Sequence, residues 1–576
     1  MRFTWKIGGE AGFGINASGA MFSRFASRSG YHIFNYIEYP SLIRGGHNAL
    51  EILIADEKVN FLDDKIDLLV CLNKETYEKH KVRLNEESLV IYDESDFQPE
   101  KKQRLINLPF KKIVQELKGE TVMQNTVCLG ASVALLEGSL DILLDLIKEQ
   151  FAKKGDQVVS FNQKFAQAGY DYIKKNYSSL IRPILLKKET SQKVVISGNE
   201  AFSLGAVLAD CRFYAAYPMT PSSSVLHTLA RWQEKTGMVV RHPEDEISVI
   251  NHAIGASFAG VRSAVGTSGG GFALMVESVS FAGIAEIPLV IFLAQRPGPA
   301  TGMPTWTEQG DLLFSIFAGH GEFPKIVLAP ANHLEMIKLT AEAFNLADIY
   351  QTPVIVLSDM YLSESFQTIK DEEINQLVSN YQVDRGKLIK ELSATSKIKN
   401  FLRYQLKDDG ISERLVPGVS GYFYQANSYE HLEDGHTTED ALERKKQVEK
   451  RNKKITTFLT NHFQMPKIFG DIDESAIIFV SWGLTQEAVL EAKRRLEKKN
   501  IKSALIHFSY LYPLDGARLK ELLEKDKYYV LIENNSQGQL GKLLRMETGV
   551  EIKKKILRYD GRPITPKQIV DSLEMF

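Results

Sequence analysis

Ile287-Pro288-Leu289-Val290-Ile291-Phe292-Leu293-Ala294-Gln295-Arg296-Pro297-Gly298-Pro299 decides how this chain is read. From Leu289 to Ala294 no polar residue interrupts the run, which then stops abruptly in a proline–glycine loop. A strand with one wet face alternates apolar and polar residues. An unbroken run predicts a parallel strand buried on both faces. Loops at the carboxyl ends of such strands are where α/β sheets hold ligands. Arg296 is predicted to stand on such a loop.

Working outward, the same pattern recurs. Tyr217-Pro218-Met219-Thr220-Pro221-Ser222-Ser223 is a hydroxyl-rich turn after an apolar segment. Pro243-Glu244-Asp245-Glu246 is an acidic cluster that opens a largely apolar helical pattern, and Thr267-Ser268-Gly269-Gly270-Gly271 is a glycine run. Placed at successive strand ends, these segments converge on one crevice. Each has a plainer explanation. Thr220 or Ser222 serves as an N-cap. One carboxylate caps and complements the helix that Glu246 opens, but three acids stand there and a cap needs one. Arg296 requires a partner, because burying a lone charge is costly. A substrate carboxylate fits its fork; Glu308 or Asp311 is the internal alternative.

At 576 residues the chain exceeds one hydrophobic core and predicts three or four domains. A net charge of -2 gives no bulk field for nucleic acid or an anionic membrane. The three cysteines, Cys71, Cys128 and Cys211, lie far apart, so this chain by itself is not expected to build a four-cysteine iron–sulfur or zinc site. The histidines His431 and His436 stand among carboxylates without a defined ligand spacing, and no metal is assigned. Low cysteine use, an N-terminus without a signal-peptide core and no bilayer-length apolar run predict a soluble cytoplasmic protein.

Along the chain, residues 1–186 read as a first α/β domain. A strand at Phe3–Ile7 enters Gly8-Gly9-Glu10-Ala11-Gly12-Phe13-Gly14, then a helix. That order presents backbone N–H groups to an anion, although the spacing departs from GxGxxG and a tight turn explains the glycines equally. Arg44 precedes Gly45-Gly46 on a loop, as a ligand group or as a solvated surface residue. Asn125 or Thr126 is expected to cap the helix that follows. After a polar linker at Lys187–Lys193, residues 194–395 form a second α/β domain that begins with strand Val194–Ser197. Residues 396–470 are an irregular connecting segment, in which Glu443–Arg451 reads as a solvated helix with i,i+4 pairs. Residues 471–576 alternate strands and helices as a third, smaller domain.

These residues together resemble the α subunit of the 2-oxoacid:ferredoxin oxidoreductases, in the form with a γ domain fused at its N-terminus. Tyr217–Ser223 is similar to the family's YPxTPSS signature and Arg296–Thr307 to its QRPGPSTGLPT segment. Gly8–Gly14 and Glu38–His47 resemble γ-domain motifs, and the last domain resembles the transketolase C-terminal module. The resemblance implies an α/β protein of three βαβ-type domains, one of them the pyrimidine side of a thiamine diphosphate enzyme. It implies oxidative decarboxylation of a 2-oxoacid (2-oxoglutarate, pyruvate or similar) with coenzyme A, giving acyl-CoA, CO₂ and reduced ferredoxin. A separate β subunit is then expected to carry the diphosphate site, Mg²⁺ and a 4Fe-4S cluster, in an (αβ)₂ assembly. By position, Glu246 resembles the glutamate that bonds the aminopyrimidine ring, with Tyr217, Pro218 and Thr267 beside it. Thr220 would bond the 2-oxoacid, Arg296 would hold its carboxylate, and Thr305 and Arg44 would line the rest of the acid pocket. Phe13 stands where a polar residue is usual, Ala300 replaces a serine, and Trp306 stands where the family often has a basic residue. Loss of that cation argues for a less polar acid than a dicarboxylate. Two other readings of the residues stay open: a nucleotide-dependent α/β dehydrogenase built on Gly8–Gly14, and a non-catalytic scaffold that binds coenzyme A or a partner.

Overall fold

The apolar run folds as predicted, into a strand at Leu289–Gln295 that is buried along its whole length. It pairs in parallel with Ser263–Thr267 on one side and Pro353–Asp359 on the other. Val290, Ile291, Phe292 and Leu293 are all inaccessible to solvent. Each buried side chain of that size stabilises the fold by roughly 1.5–3 kcal/mol. The computed structural model describes residues 1–41, 45–189, 191–392 and 399–574. Arg44 lies outside the described residues.

The chain divides into two compact units. The first comprises Met1–Ser197, Glu364–Ile374 and Thr565–Lys567. Its sheet has eight strands, in the order Arg104–Asn107, Leu89–Tyr92, Leu68–Cys71, Arg2–Glu10, His47–Ala55, His32–Glu38, Phe366–Lys370 and Lys193–Ser197. The strand expected at the head of the second domain, Lys193–Ser197, therefore sits at the edge of this sheet, antiparallel to Phe366–Lys370. Local pattern marks a strand but carries no information about its partner.

Two further expectations for this unit change. The first strand does not end at Ile7. Gly8, Gly9 and Glu10 continue it, opposite Ala49, Asn48 and His47. The glycines are there because another chain element approaches: a Cβ on Gly8 would lie 2.8 Å from the His47 ring. Nor do Asn125 and Thr126 cap a helix, because that helix begins at Gln124. Asn125 instead donates Nδ2 to the Phe13 carbonyl (2.8 Å) and accepts from Thr126 Oγ1, so it fastens the glycine loop.

Among its described residues the second unit holds two large sheets and two two-stranded ribbons, Leu388–Ile389 with Arg414–Leu415 and Lys399–Asn400 with Tyr422–Phe423. The larger has seven strands, in the order Tyr510–Tyr512, Ile326–Leu328, Pro353–Asp359, Leu289–Gln295, Ser263–Thr267, Phe213–Ala215 and Val239–Arg241. All pairs are parallel except the one with Tyr510–Tyr512 at the edge. Its helices include Ser223–Thr236, Glu246–Phe258 and Gly269–Ile284. The smaller sheet, in the order Lys467–Phe469, Ser503–Phe508, Ile477–Trp482, Tyr528–Glu533 and Lys554–Leu557, is the predicted C-terminal α/β module.

The charged helix Ala441–Asn461 is not simply solvated. Lys445–Glu449 and Lys446–Glu443 form the expected surface pairs. The opposite face, Gln447, Lys450, Arg451 and Lys454, is buried. Lys450 and Lys454 both meet Glu286 at 2.5 Å, and Arg451 meets Glu430 at 2.8 Å. A charge pattern within a helix cannot reveal that carboxylates from distant segments wait on its inner side.

Candidate functional site

The carboxyl-end loops of the seven-stranded sheet bring most of the predicted residues together. Glu246 is the first residue of its helix and is only 4% exposed. Asp245 performs the capping, accepting from the Ser248 N–H at 2.7 Å, and Glu244 faces solvent. With the cap already supplied, Glu246 is free of that duty. Its Oε1 is buried and accepts no hydrogen bond from the described residues. A buried acceptor left unmet costs on the order of 1–3 kcal/mol, and more when charged. The helix N-terminus recovers part of that for a carboxylate.

Gly271 explains how Glu246 reaches this position. A Cβ at residue 271 would collide with Thr267 Oγ1 and lie 2.6 Å from Glu246 Oε1. Only glycine leaves the cradle open, so the glycine run serves close approach here. Thr267, at the end of its strand, is fully buried. Met219 fills the adjacent space, its Sδ 3.3 Å from the Gly271 N–H and 4.0 Å from Thr267 Oγ1. The turn that carries Met219 is pinned from below. Asn199 Nδ2 donates to the Pro221 carbonyl (2.7 Å) and to Ser224 Oγ (2.6 Å). Ser222 does not cap with its side chain; its hydroxyl donates to the Met219 carbonyl at 2.8 Å. Tyr217 and Pro218 lie exposed at the rim.

Arg296 is half-buried and donates Nη1 to the Thr220 carbonyl at 2.7 Å. Among the described residues, no carboxylate lies within ion-pair distance of it, and of the two internal candidates Asp311 acts on it from further off. Burial pulls the pKa of its guanidinium down, and Asp311 opposes the shift from a distance. The same poorly solvated environment acts on the acids nearby. Burial pushes Asp311 up to about 6 against the pull of Arg296. It pushes Glu308 up to about 7, with repulsion from Asp311 added.

The loop after Arg296 folds back on itself through Met303 N–H to Pro297 O (3.0 Å). Thr305, which follows, is buried. Beyond it the loop is bound to the C-terminal module. Gln309 exchanges main-chain and side-chain hydrogen bonds with Asn534, at 2.7 and 2.9 Å, and donates Nε2 to the Trp482 carbonyl. Gln295 clamps the strand end from within, donating to Ser358 O and accepting from Asp311 N–H, both at 2.9 Å. Sequence reasoning missed Asn199, Gln295, Gln309 and Asn534. Their partners lie on other elements, and an isolated amide in a helix, at a strand end or in a loop carries no signal.

The arrangement defines a class: a pyrimidine-side thiamine diphosphate domain joined to a transketolase-type C-terminal domain. The family model for pyruvate flavodoxin/ferredoxin oxidoreductase, thiamine diphosphate binding, matches residues 204–450. The pyruvate ferredoxin/flavodoxin oxidoreductase model matches residues 4–172, and the transketolase C-terminal domain matches residues 471–566. The chain is 31% identical to a 2-oxoacid:ferredoxin oxidoreductase subunit alpha of Sulfolobus, over all of this chain and 96% of that one. It is 32% identical to a 2-oxoglutarate synthase subunit of Archaeoglobus fulgidus over 66% of this chain and 98% of that one. A solved 2-oxoglutarate:ferredoxin oxidoreductase from Magnetococcus marinus, with 2-oxoglutarate, coenzyme A and succinyl-CoA bound, superposes with a TM-score of 0.91 at 30% identity. That match covers 100% of this chain and 99% of the other. The chain belongs to the α subunits of the 2-oxoacid:ferredoxin oxidoreductases.

Proposed function

We propose that this chain supplies the acid side of a shared decarboxylation site: Glu246 toward the coenzyme ring, and Arg296 and Thr220 toward the 2-oxoacid. The observation that carries the reading is the buried Glu246 oxygen with no donor, set over the open cradle of Gly271. A ring nitrogen bearing a proton would satisfy it. Bound there, thiamine diphosphate supplies the carbon nucleophile that lets a 2-oxoacid lose CO₂. Glu246 would accept the ring N–H and so favour the tautomer whose exocyclic nitrogen can take up a proton. Thr267 and Met219 wall the ring, and Tyr217 and Pro218 edge it. The free N–H groups of Arg296 orient the substrate carboxylate in a bidentate fork, with Thr220 and Thr305 beside it.

Exposed apolar residues flank this site. Ile247 is 51% exposed and Leu274 is 52% exposed. Their helices are tied by Asn251 Nδ2 to Ser278 Oγ at 3.0 Å, one turn further along each. A partner face is the natural cover for such a patch. In this reading a β subunit covers it and brings the diphosphate site, Mg²⁺ and a 4Fe-4S cluster, with ferredoxin as electron acceptor and two αβ pairs in the assembly. Among the described residues, no helix is long and apolar enough to cross a membrane; a cytoplasmic location belongs to the proposal.

The test is reconstitution. The chain co-expressed with its β subunit is expected to reduce a low-potential dye when given a 2-oxoacid, thiamine diphosphate, Mg²⁺ and coenzyme A. The chain by itself is expected to be inert. Full activity of the isolated chain overturns the shared-site reading.

A further inference from the structure

Trp306 taken by itself predicts a pocket for a less polar acid than a dicarboxylate, but the structure returns a cation to the same place. The Arg562 guanidinium carbon lies over the Trp306 ring, 3.2 Å from its centroid. Arginine over a tryptophan face is among the better cation–π pairs. The contact is built. The Thr307 N–H donates to the Gly561 carbonyl at 3.1 Å. Gly561 has φ 79°, and a Cβ there would lie 3.1 Å from Trp306 Cβ and 3.2 Å from Met303 Cε. Asn534 secures the other side, donating Nδ2 to the Arg562 carbonyl at 2.7 Å and accepting from Ile564 N–H at 2.9 Å.

The charge itself remains largely unspent. Among the described residues, the Arg562 side chain makes one hydrogen bond, Nη1 to the Asp560 carbonyl at 3.2 Å. The Asp560 carboxylate is taken by Arg558, at 2.9 and 3.0 Å. Among the described residues, no carboxylate lies within ion-pair distance of Arg562. Its place relative to Arg296 follows from the loop: Met303 bonds the Pro297 carbonyl, and Pro297 directly follows Arg296. Two arginines, neither of them in a direct ion pair among the described residues, therefore border one loop, with Asp311 and Asp560 acting on them from further off. Arg562 is held over the indole face and keeps N–H donors beyond the one given to Asp560, in the fork that a carboxylate meets bidentately.

We propose that Arg562 determines specificity by binding the distal carboxylate of a 2-oxo dicarboxylic acid whose 2-oxo end is held by Arg296. The assignment rests on the active-site reading above. It is tested with the αβ complex, wild type and Arg562→Gln, comparing 2-oxoglutarate with 2-oxopentanoate, which has the same length and no distal charge. The wild type is expected to favour 2-oxoglutarate. In Arg562→Gln the ratio of kcat/KM values, diacid over monoacid, is expected to fall on the order of tenfold to a hundredfold. Most of that loss is expected in the KM for 2-oxoglutarate. Arg562→Lys, which keeps the charge, is expected to fall less. An unmoved ratio, a wild type that prefers 2-oxopentanoate, or a rise confined to the KM for coenzyme A overturns the assignment while leaving Glu246 in place. A wild-type complex that turns over neither acid sinks the active-site reading and this assignment together.

Discussion

Two carboxylates of the second unit, Glu246 and Glu286, are both buried and differ in their company. Glu286 is fully buried and meets Lys450 and Lys454, while Arg403 Nη2 donates to its carbonyl at 2.7 Å. Burial by itself would raise its pKa. The surrounding cations outweigh burial and hold the acid well below the usual carboxylate range. Burial pulls Lys450 down to about 7 against the opposing pull of Glu286. Glu246 has no cation within ion-pair distance among the described residues and one oxygen without a donor. A buried acid surrounded by opposite charge is part of the scaffold. A buried acid left open, above a glycine that makes room, is reserved for something that arrives later.

The comparison breaks most easily at Glu246. Glu246→Gln keeps the shape and removes the charge. In the αβ complex it is expected to cut 2-oxoacid-dependent dye reduction by a factor on the order of 10²–10⁴, the scale of general acid–base contributions. Its melting temperature is expected to equal or exceed that of the wild type, because an unmet buried charge is gone. Turnover within a few-fold of wild type would place the acid outside the chemistry. Glu286→Gln inverts the outcome. It leaves buried lysines without their counter-charge, and breaking such a pair costs about 3–5 kcal/mol. Denaturant unfolding should show a lower midpoint at an unchanged slope. A Glu286→Gln chain as stable as the wild type would show that the cluster is not a fastener.

How much of this contrast was legible beforehand follows from how far each signal reaches along the chain. The strand Leu289–Gln295, the turn Tyr217–Ser223 and the placement of Glu246 at a helix start are local patterns, and local patterns survive folding. What failed was pairing at a distance. Lys193–Ser197 reads as a strand but not as the edge of the first unit's sheet. The helix from Ala441 reads as solvated because charged residues crowd it, seven basic against two acidic, while Glu286 and Glu430 are invisible from within it. Asn125 reads as a cap because caps are where asparagine is common, yet its amide is needed by the Phe13 carbonyl. Trp306 reads as the loss of a cation because nothing near it in sequence says that Arg562 will lie on its face.

The same contrast extends, at smaller amplitude, to Asp359 at the end of strand Pro353–Asp359. It is buried and, like Glu246, has no counter-cation within ion-pair distance among the described residues. Burial pushes it up to about 7, although the Leu362 N–H and the Thr307 hydroxyl both donate to its Oδ1 at 3.0 Å. The folded-state value lies above the ordinary carboxylate value near 3.8, so between those limits the native chain binds more protons than the unfolded one. Stability then falls as pH rises from about 4 to about 7, by at most about 1.4 kcal/mol per pH unit from this group. Asp359→Asn copies the protonated form and retains Oδ1 as the acceptor for both donors. It should be close to the wild type in stability near pH 4 and more stable than it near pH 7, so the two melting curves diverge with rising pH. Parallel curves across that window would mean that Asp359 is ionised in the folded chain and has found a counter-charge, which would move it from the company of Glu246 to that of Glu286.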